Sequence, residues 1–139
     1  MFYGLVGLTV IHFWQQGIDV SFFVFFAGIV QFLFGFGIAL WATGYLGWRQ
    51  AFGVKEGLRT KGIFSLSRHP VYVATWVGMA GWFLMQPDQV VRLVLVEWAL
   101  IYLLAIFLEE RWLLSEFGDS YETYAKKTPR FFGLRGYEN

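Results

Sequence analysis

From Val20 to Trp48 the chain carries no charged residue. A helix crosses a hydrocarbon core in about 20 residues, so this run can span a bilayer with length to spare. The composition agrees: 57% of residues are apolar, 22% aromatic and only 15% charged. A soluble chain of 139 residues has too little interior to bury so many Phe and Trp side chains. A bilayer solvates them without burial. The net charge of +1 gives no pull toward nucleic acid. With no cysteine, disulfides, thiolate metal sites and thiol nucleophiles are excluded.

Three more runs follow. Met1 to Ile18 is uncharged, although His12, Gln15, Gln16 and Gly17 weaken its outer end. Pro70 to Gln86 is uncharged, and Leu93 to Leu108 contains one acid, Glu97, near enough to Arg92 to pair with it. The expectation is an all-α integral membrane protein, a single domain with about four transmembrane helices near 1–18, 20–48, 70–86 and 90–110. Lipid-exposed backbone must be satisfied within its own segment, and these lengths suit helices. The turns Gln15–Asp19 and Gln86–Gln89 are short, which predicts two antiparallel helical hairpins. The N-terminal run has no basic leader or small-residue cleavage site and reads as a retained span.

Cations set the orientation. Of the 11 Lys and Arg, all but Arg92 fall in the loop 49–69 or the tail 111–139. The positive-inside bias puts both segments in the cytoplasm and, with two spans ahead of the loop, the N-terminus as well. A cell (inner) membrane is the expected location. Trp41, Tyr45 and Trp48 approach the cytoplasmic end of the second span as an aromatic belt does. Gly28, Gly35, Gly37, Gly44 and Gly47 predict close helix contact along that span. Beyond Leu108, Leu114, Phe117, Tyr121, Tyr124 and Thr128 recur at helical spacing among charged residues, which predicts an amphipathic interfacial helix with a break at Gly118-Asp119.

Two polar clusters share the cytoplasmic face. In the first, Arg68-His69-Pro70-Val71-Tyr72 opens the third span, and Pro70 suits a first helical turn. Free backbone N–H groups at such a start favour an anion. A basic loop is also what orientation alone requires. The second cluster is Glu109-Glu110-Arg111, two acids near a helix end that prefers cations. Either the helix continues past them, or a cation compensates. They can pair with Arg111, Arg68 or a tail lysine, or hold a ligand's ammonium group.

Leu58-x-Thr60-x-Gly62-x-Phe64 leading into Arg68-His69-Pro70-x-Tyr72 resembles the isoprenylcysteine carboxyl and phospholipid methyltransferases of membranes. Glu109-Glu110-x-x-Leu113, Phe117-Gly118-x-x-Tyr121-x-x-Tyr124 and Pro129-Arg130 resemble that superfamily's C-terminal signature. Phe64, Ala74 and Gly133 depart from its pattern. The resemblance implies S-adenosyl-L-methionine as cofactor, held at the cytoplasmic face between the third and fourth spans and the folded-back tail. It implies that His69, Tyr72, Glu109, Glu110, Tyr121 and Tyr124 line the cofactor site, with Glu109 or Glu110 receiving the methionine ammonium. Arg68, His69 and Arg130 are the candidate catalytic residues, the arginines for carboxylate recognition and His69 as a base. Gly62 is expected to serve a backbone turn. No metal is expected. The acceptor would be a lipophilic small molecule of the bilayer bearing a carboxylate, amine or thiol. Two rivals stand beside this: an NADPH-dependent membrane reductase like the sterol reductases, whose tails resemble this one, and a non-catalytic membrane subunit of the same fold.

Overall fold

The computed structural model describes residues 2–16, 20–47 and 57–132. Five α-helices run in order: α1 (Phe2–Gln16), α2 (Phe22–Leu46), α3 (Pro70–Met85), α4 (Gln89–Phe117) and α5 (Asp119–Lys127). A single 3-10 turn, Gly62–Ser65, precedes α3. The described residues contain no strand. The expectations for Trp48, Arg49, Lys55, Gly133 and Arg135 lie outside the described residues.

Two helices, α2 and α4, are long and apolar enough to cross a membrane. The other two expected crossings are shorter, 15 residues in α1 and 16 in α3. Much of α3 is buried against α2, so its side chains pack on protein where α2 and α4 expose Phe, Leu and Trp. The longest mutual contact runs between α2 and α3, which are not sequential hairpin partners. Glycine explains that pairing. A Cβ at Gly35 would strike the Gly78 backbone and the Ala74 carbonyl, and one at Gly28 would meet Met85 and the Gly81 carbonyl. The axes approach closely because these side chains are absent. Gly37 and Gly44, expected to do the same, face open space.

The centre is a cluster of Leu5, Met79, Trp82, Met85, Val91 and Leu95. It joins α1, α3 and α4, and the Trp82 indole N–H donates to Thr9 Oγ1 at 3.1 Å, so the wide ring is buried with its polar atom satisfied. At this end Asp88 caps α4, its carboxylate accepting the Val91 N–H at 3.0 Å. The cap orients α4 so that its far end returns to the start of α3. There α4 runs on past the two acids to Phe117 and stops at Gly118, whose φ of 49° is left-handed. The expected break falls there. Asp119 and Glu122 in the first turn of α5 and Lys126 and Lys127 in its last match the helix dipole.

Candidate functional site

The site begins with the turn that launches α3. Gly62 adopts φ 65°, a value natural to glycine, and the chain tightens into the 3-10 turn. Ser67 is fully buried; its Oγ accepts the His69 N–H at 3.1 Å and donates to the Arg130 carbonyl at 3.2 Å. The Arg68 N–H donates to the Pro129 carbonyl at 2.9 Å. Buried Tyr124 on α5 closes a third tie, its hydroxyl donating to the Phe64 carbonyl at 2.6 Å. These bonds hold the tail beside the start of α3, so that side chains distant in sequence share one space.

Glu110 organises that space. Arg130 grips it through one guanidinium edge, Nε at 3.0 and 3.1 Å and Nη2 at 2.7 Å from its oxygens. Arg68 Nη1 stands 3.0 Å from Oε1, and His69 Nε2 lies 3.2 Å from the same oxygen. Bidentate, charge-assisted bonds of this kind are about twice as strong as neutral ones. Two arginines supply the compensation that acids late in a helix need; Arg111 takes no part.

Glu109 is different. Its Oε2 is buried without a hydrogen bond, with His69 Nδ1 3.7 Å away, while the Tyr72 hydroxyl bonds to the same carboxylate group. Burial lowers the His69 pKa against the pull of Glu109 and Glu110, so the ring is neutral near pH 7. A carboxylate only accepts, which places the proton on Nε2 facing Glu110 and leaves Nδ1 with its lone pair toward Glu109. Glu109 Oε2 is thus a buried acceptor with no donor of its own. Arg68 Nε is the complementary orphan, a buried N–H with no acceptor. Each unsatisfied buried group costs about 1–3 kcal/mol. Together they suit a zwitterion, an ammonium beside Glu109 and a carboxylate beside Arg68.

Aromatic rings wall the site. Tyr72 packs edge-on against His69 at 5.7 Å and against Tyr102 at 5.0 Å. Trp76 meets Phe131 of the tail at 5.4 Å. Tyr121 is buried with its hydroxyl 3.4 Å from Arg68 Nη1, and burial raises its pKa and that of Tyr124.

All the candidate residues, Arg68, His69, Tyr72, Glu109, Glu110, Tyr121, Tyr124 and Arg130, thus gather at one end of the fold. Tyr124 faces the backbone of Phe64. His12 and Glu97 stay apart: His12 Nδ1 is 3.6 Å from Asp88, and Glu97 is exposed. Arg92 does not pair with Glu97 but donates to the Gln86 carbonyl at 2.6 Å and covers the Phe83 ring. Sequence reading missed Ser67, Tyr102 and Phe131. Only Ser67 left a signal, since a serine two residues ahead of a helix cap commonly bonds the cap's N–H.

The amino-acid sequence is similar to known proteins. The model of the phospholipid methyltransferase family matches residues 23–120. The cobalt-zinc-cadmium resistance protein CzcN of Cupriavidus metallidurans is 38% identical over 94 residues, 67% of this chain and 41% of that protein. The nickel-cobalt-cadmium resistance protein NccN of Alcaligenes xylosoxydans xylosoxydans is 34% identical over 94 residues, 67% of this chain and 42% of that protein. The protein-S-isoprenylcysteine O-methyltransferase of Schizosaccharomyces pombe is 40% identical over 74 residues, 52% of this chain and 31% of that protein. The chain therefore spans less than half the length of these curated relatives. No solved structure matches it. The family match covers α2 from Phe23 through α4, with Arg68, His69, Glu109 and Glu110 inside it and Tyr121, Tyr124 and Arg130 beyond it, and the chain belongs to the phospholipid methyltransferase family.

Proposed function

We propose that this chain transfers a methyl group from S-adenosylmethionine to a lipophilic, membrane-held acceptor at the cytoplasmic face. The observation that carries the reading is the orphan pair beside His69: the Glu109 Oε2 acceptor and the Arg68 Nε donor. They fit the ammonium and carboxylate of the cofactor's methionine end. In this reading α1, α2, α3 and α4 are four crossings, with the loop before α3, the tail and both termini in the cytoplasm of a cell membrane. Lipid exposure of α2 and α4 and the distribution of cations support it.

The residues divide the work. Glu109 holds the ammonium and Arg68 the carboxylate, while Glu110 and Arg130 keep the tail closed over the site. Tyr72, Tyr121 and Tyr124 exclude water. Held by Glu109 and Arg68, the cofactor would supply a sulfonium methyl for displacement by the acceptor, with a neutral thioether as leaving group. The protein contributes position above all. A carboxylate acceptor needs no base, whereas an amine or thiol must lose a proton, and His69 Nδ1 could take it only by giving up its place beside Glu109.

Calorimetric titration of the full chain in detergent tests the cofactor. S-adenosylhomocysteine binds, and Glu109→Gln weakens it by about tenfold or more. Binding of NADPH alone would instead select the reductase reading. The two metal-resistance relatives favour a second reading, a non-catalytic membrane component. Labelled-methyl transfer into a membrane lipid extract separates that one; a wild type that neither binds the thioether nor transfers label is such a component.

A further inference from the structure

The helix α4 has two unlike faces. Val91, Leu95 and Ile106 are buried on one. The other carries Val90, Leu93, Glu97, Leu100 and Leu104, and each apolar member is more than half exposed. Steps of three and four residues put these side chains in one row. Any lipid-facing helix offers such a row; the carboxyl group within it sets this one apart.

Glu97 is exposed and makes no ion pair or hydrogen bond among the described residues. It lies five residues past Arg92, about 7 Å further along the axis and inside the apolar run. Arg92 does not reach back to it, because the Gln86 carbonyl and the Phe83 ring hold that side chain. An acid on a membrane-crossing helix is costly when it faces lipid, and it marks a place where another group meets the helix. Lipid tails have neither donor nor acceptor to offer. A second copy of this chain has both. In two chains of the same orientation, related by a two-fold axis along the membrane normal, each row faces its own image and Glu97 meets Glu97 at one depth. A carboxyl group carrying its proton donates and accepts, so such a pair satisfies itself without a third group. A single polar residue in an apolar seam also fixes the register of the two helices. From Phe107 onward the face belongs to the tail, whose Arg130 guanidinium lies 4.9 Å over that ring. The row therefore ends short of the Glu110 cluster.

We propose that the outer half of α4, from Val90 to Leu104, is a homodimer seam locked by the two Glu97 carboxyl groups. The seam requires only that α4 crosses the membrane, and it stands whether or not the chain transfers methyl groups.

The chain has no cysteine, so single introduced thiols report cleanly. Leu93→Cys and Leu100→Cys are oxidised with copper phenanthroline in proteoliposomes, with Leu40→Cys on the exposed side of α2 as control. Both α4 variants should form a species of twice the chain's mass several-fold faster than the control. In detergent, native mass spectrometry should show a wild-type dimer that Glu97→Leu weakens about tenfold, the size of one interhelical hydrogen bond. Glu97→Gln, whose amide also donates and accepts, should keep it. Unchanged helicity by circular dichroism shows that the variants fold, and the cysteine comparison decides alone if Glu97→Leu does not. Cross-linking no faster than in the control overturns the proposal. So does a dimer equally strong in Glu97→Leu, or a cross-linked species of another mass, which would put a different partner on this face.

Discussion

Each end of the helical assembly carries a histidine, a carboxylate and an arginine, yet the two ends are built differently. At one, His69, Glu110, Arg68 and Arg130 come from the launch of α3, the end of α4 and the tail, and converge on a single carboxylate within 3.2 Å. At the other, His12 approaches Asp88 only to 3.6 Å, Asp88 is occupied capping α4, and Arg92 turns to a backbone carbonyl. The first cluster ties three segments together and leaves Glu109 Oε2 and Arg68 Nε unsatisfied, while the second leaves His12 Nε2 and both side-chain polar atoms of buried Gln86 unsatisfied. The second anchors a turn. Residue types and unpartnered polar atoms are thus poor guides to a site; convergence of three segments on one carboxylate separates the two ends.

The largest test of that contrast is Glu110→Ala. It strands two arginines in a partly buried site and should cost about 3–5 kcal/mol, read as an unfolding midpoint in detergent, because breaking one member of a buried ion network leaves uncompensated charge. A loss no greater than that of a surface mutant would remove Glu110 from the centre of the site. At the opposite end, Asp88→Ala deletes a helix cap and should cost about 1 kcal/mol while leaving S-adenosylhomocysteine affinity intact. If it abolished ligand binding, the two ends would be coupled and the contrast would fail. The smallest effect is in pH. Burial holds the folded-state pKa of His69 below its unfolded value near 6.5, so the unfolded chain takes up this proton first. His69 then contributes stability in full above about pH 6.5, and that contribution is lost as pH falls through the lowered folded value. A stability profile over pH 5–7 should be flatter in His69→Gln than in wild type; identical slopes would mean the ring is not buried neutral.

Much of the fold was legible because its causes are local. Uncharged runs marked the four apolar helices, Pro70 marked the start of α3, and Gly118 marked the break before α5. Helix pairing was not local. Equal glycine spacing along α2 could not reveal that Gly28 and Gly35 meet α3 while Gly37 and Gly44 meet nothing, since that depends on the matching glycines Gly78 and Gly81. Within the site, the motif residues were visible as types in order. Tyr102 and Phe131 were not, because aromatics in apolar company carry no mark of what they touch.

The amino-acid sequence alone determined which segments are apolar and uncharged, which segments gather the cations, and that the stretch from His69 to the paired acids belongs to a methyltransferase family. Only the tertiary structure divided Glu109 from Glu110. Neighbours on a helix point about 100° apart, so identical carboxylates must meet different surroundings. Which one is clamped and which is left open follows from the rotation of α4 against α3 and the tail, a quantity set by packing along their whole length and written in no single residue.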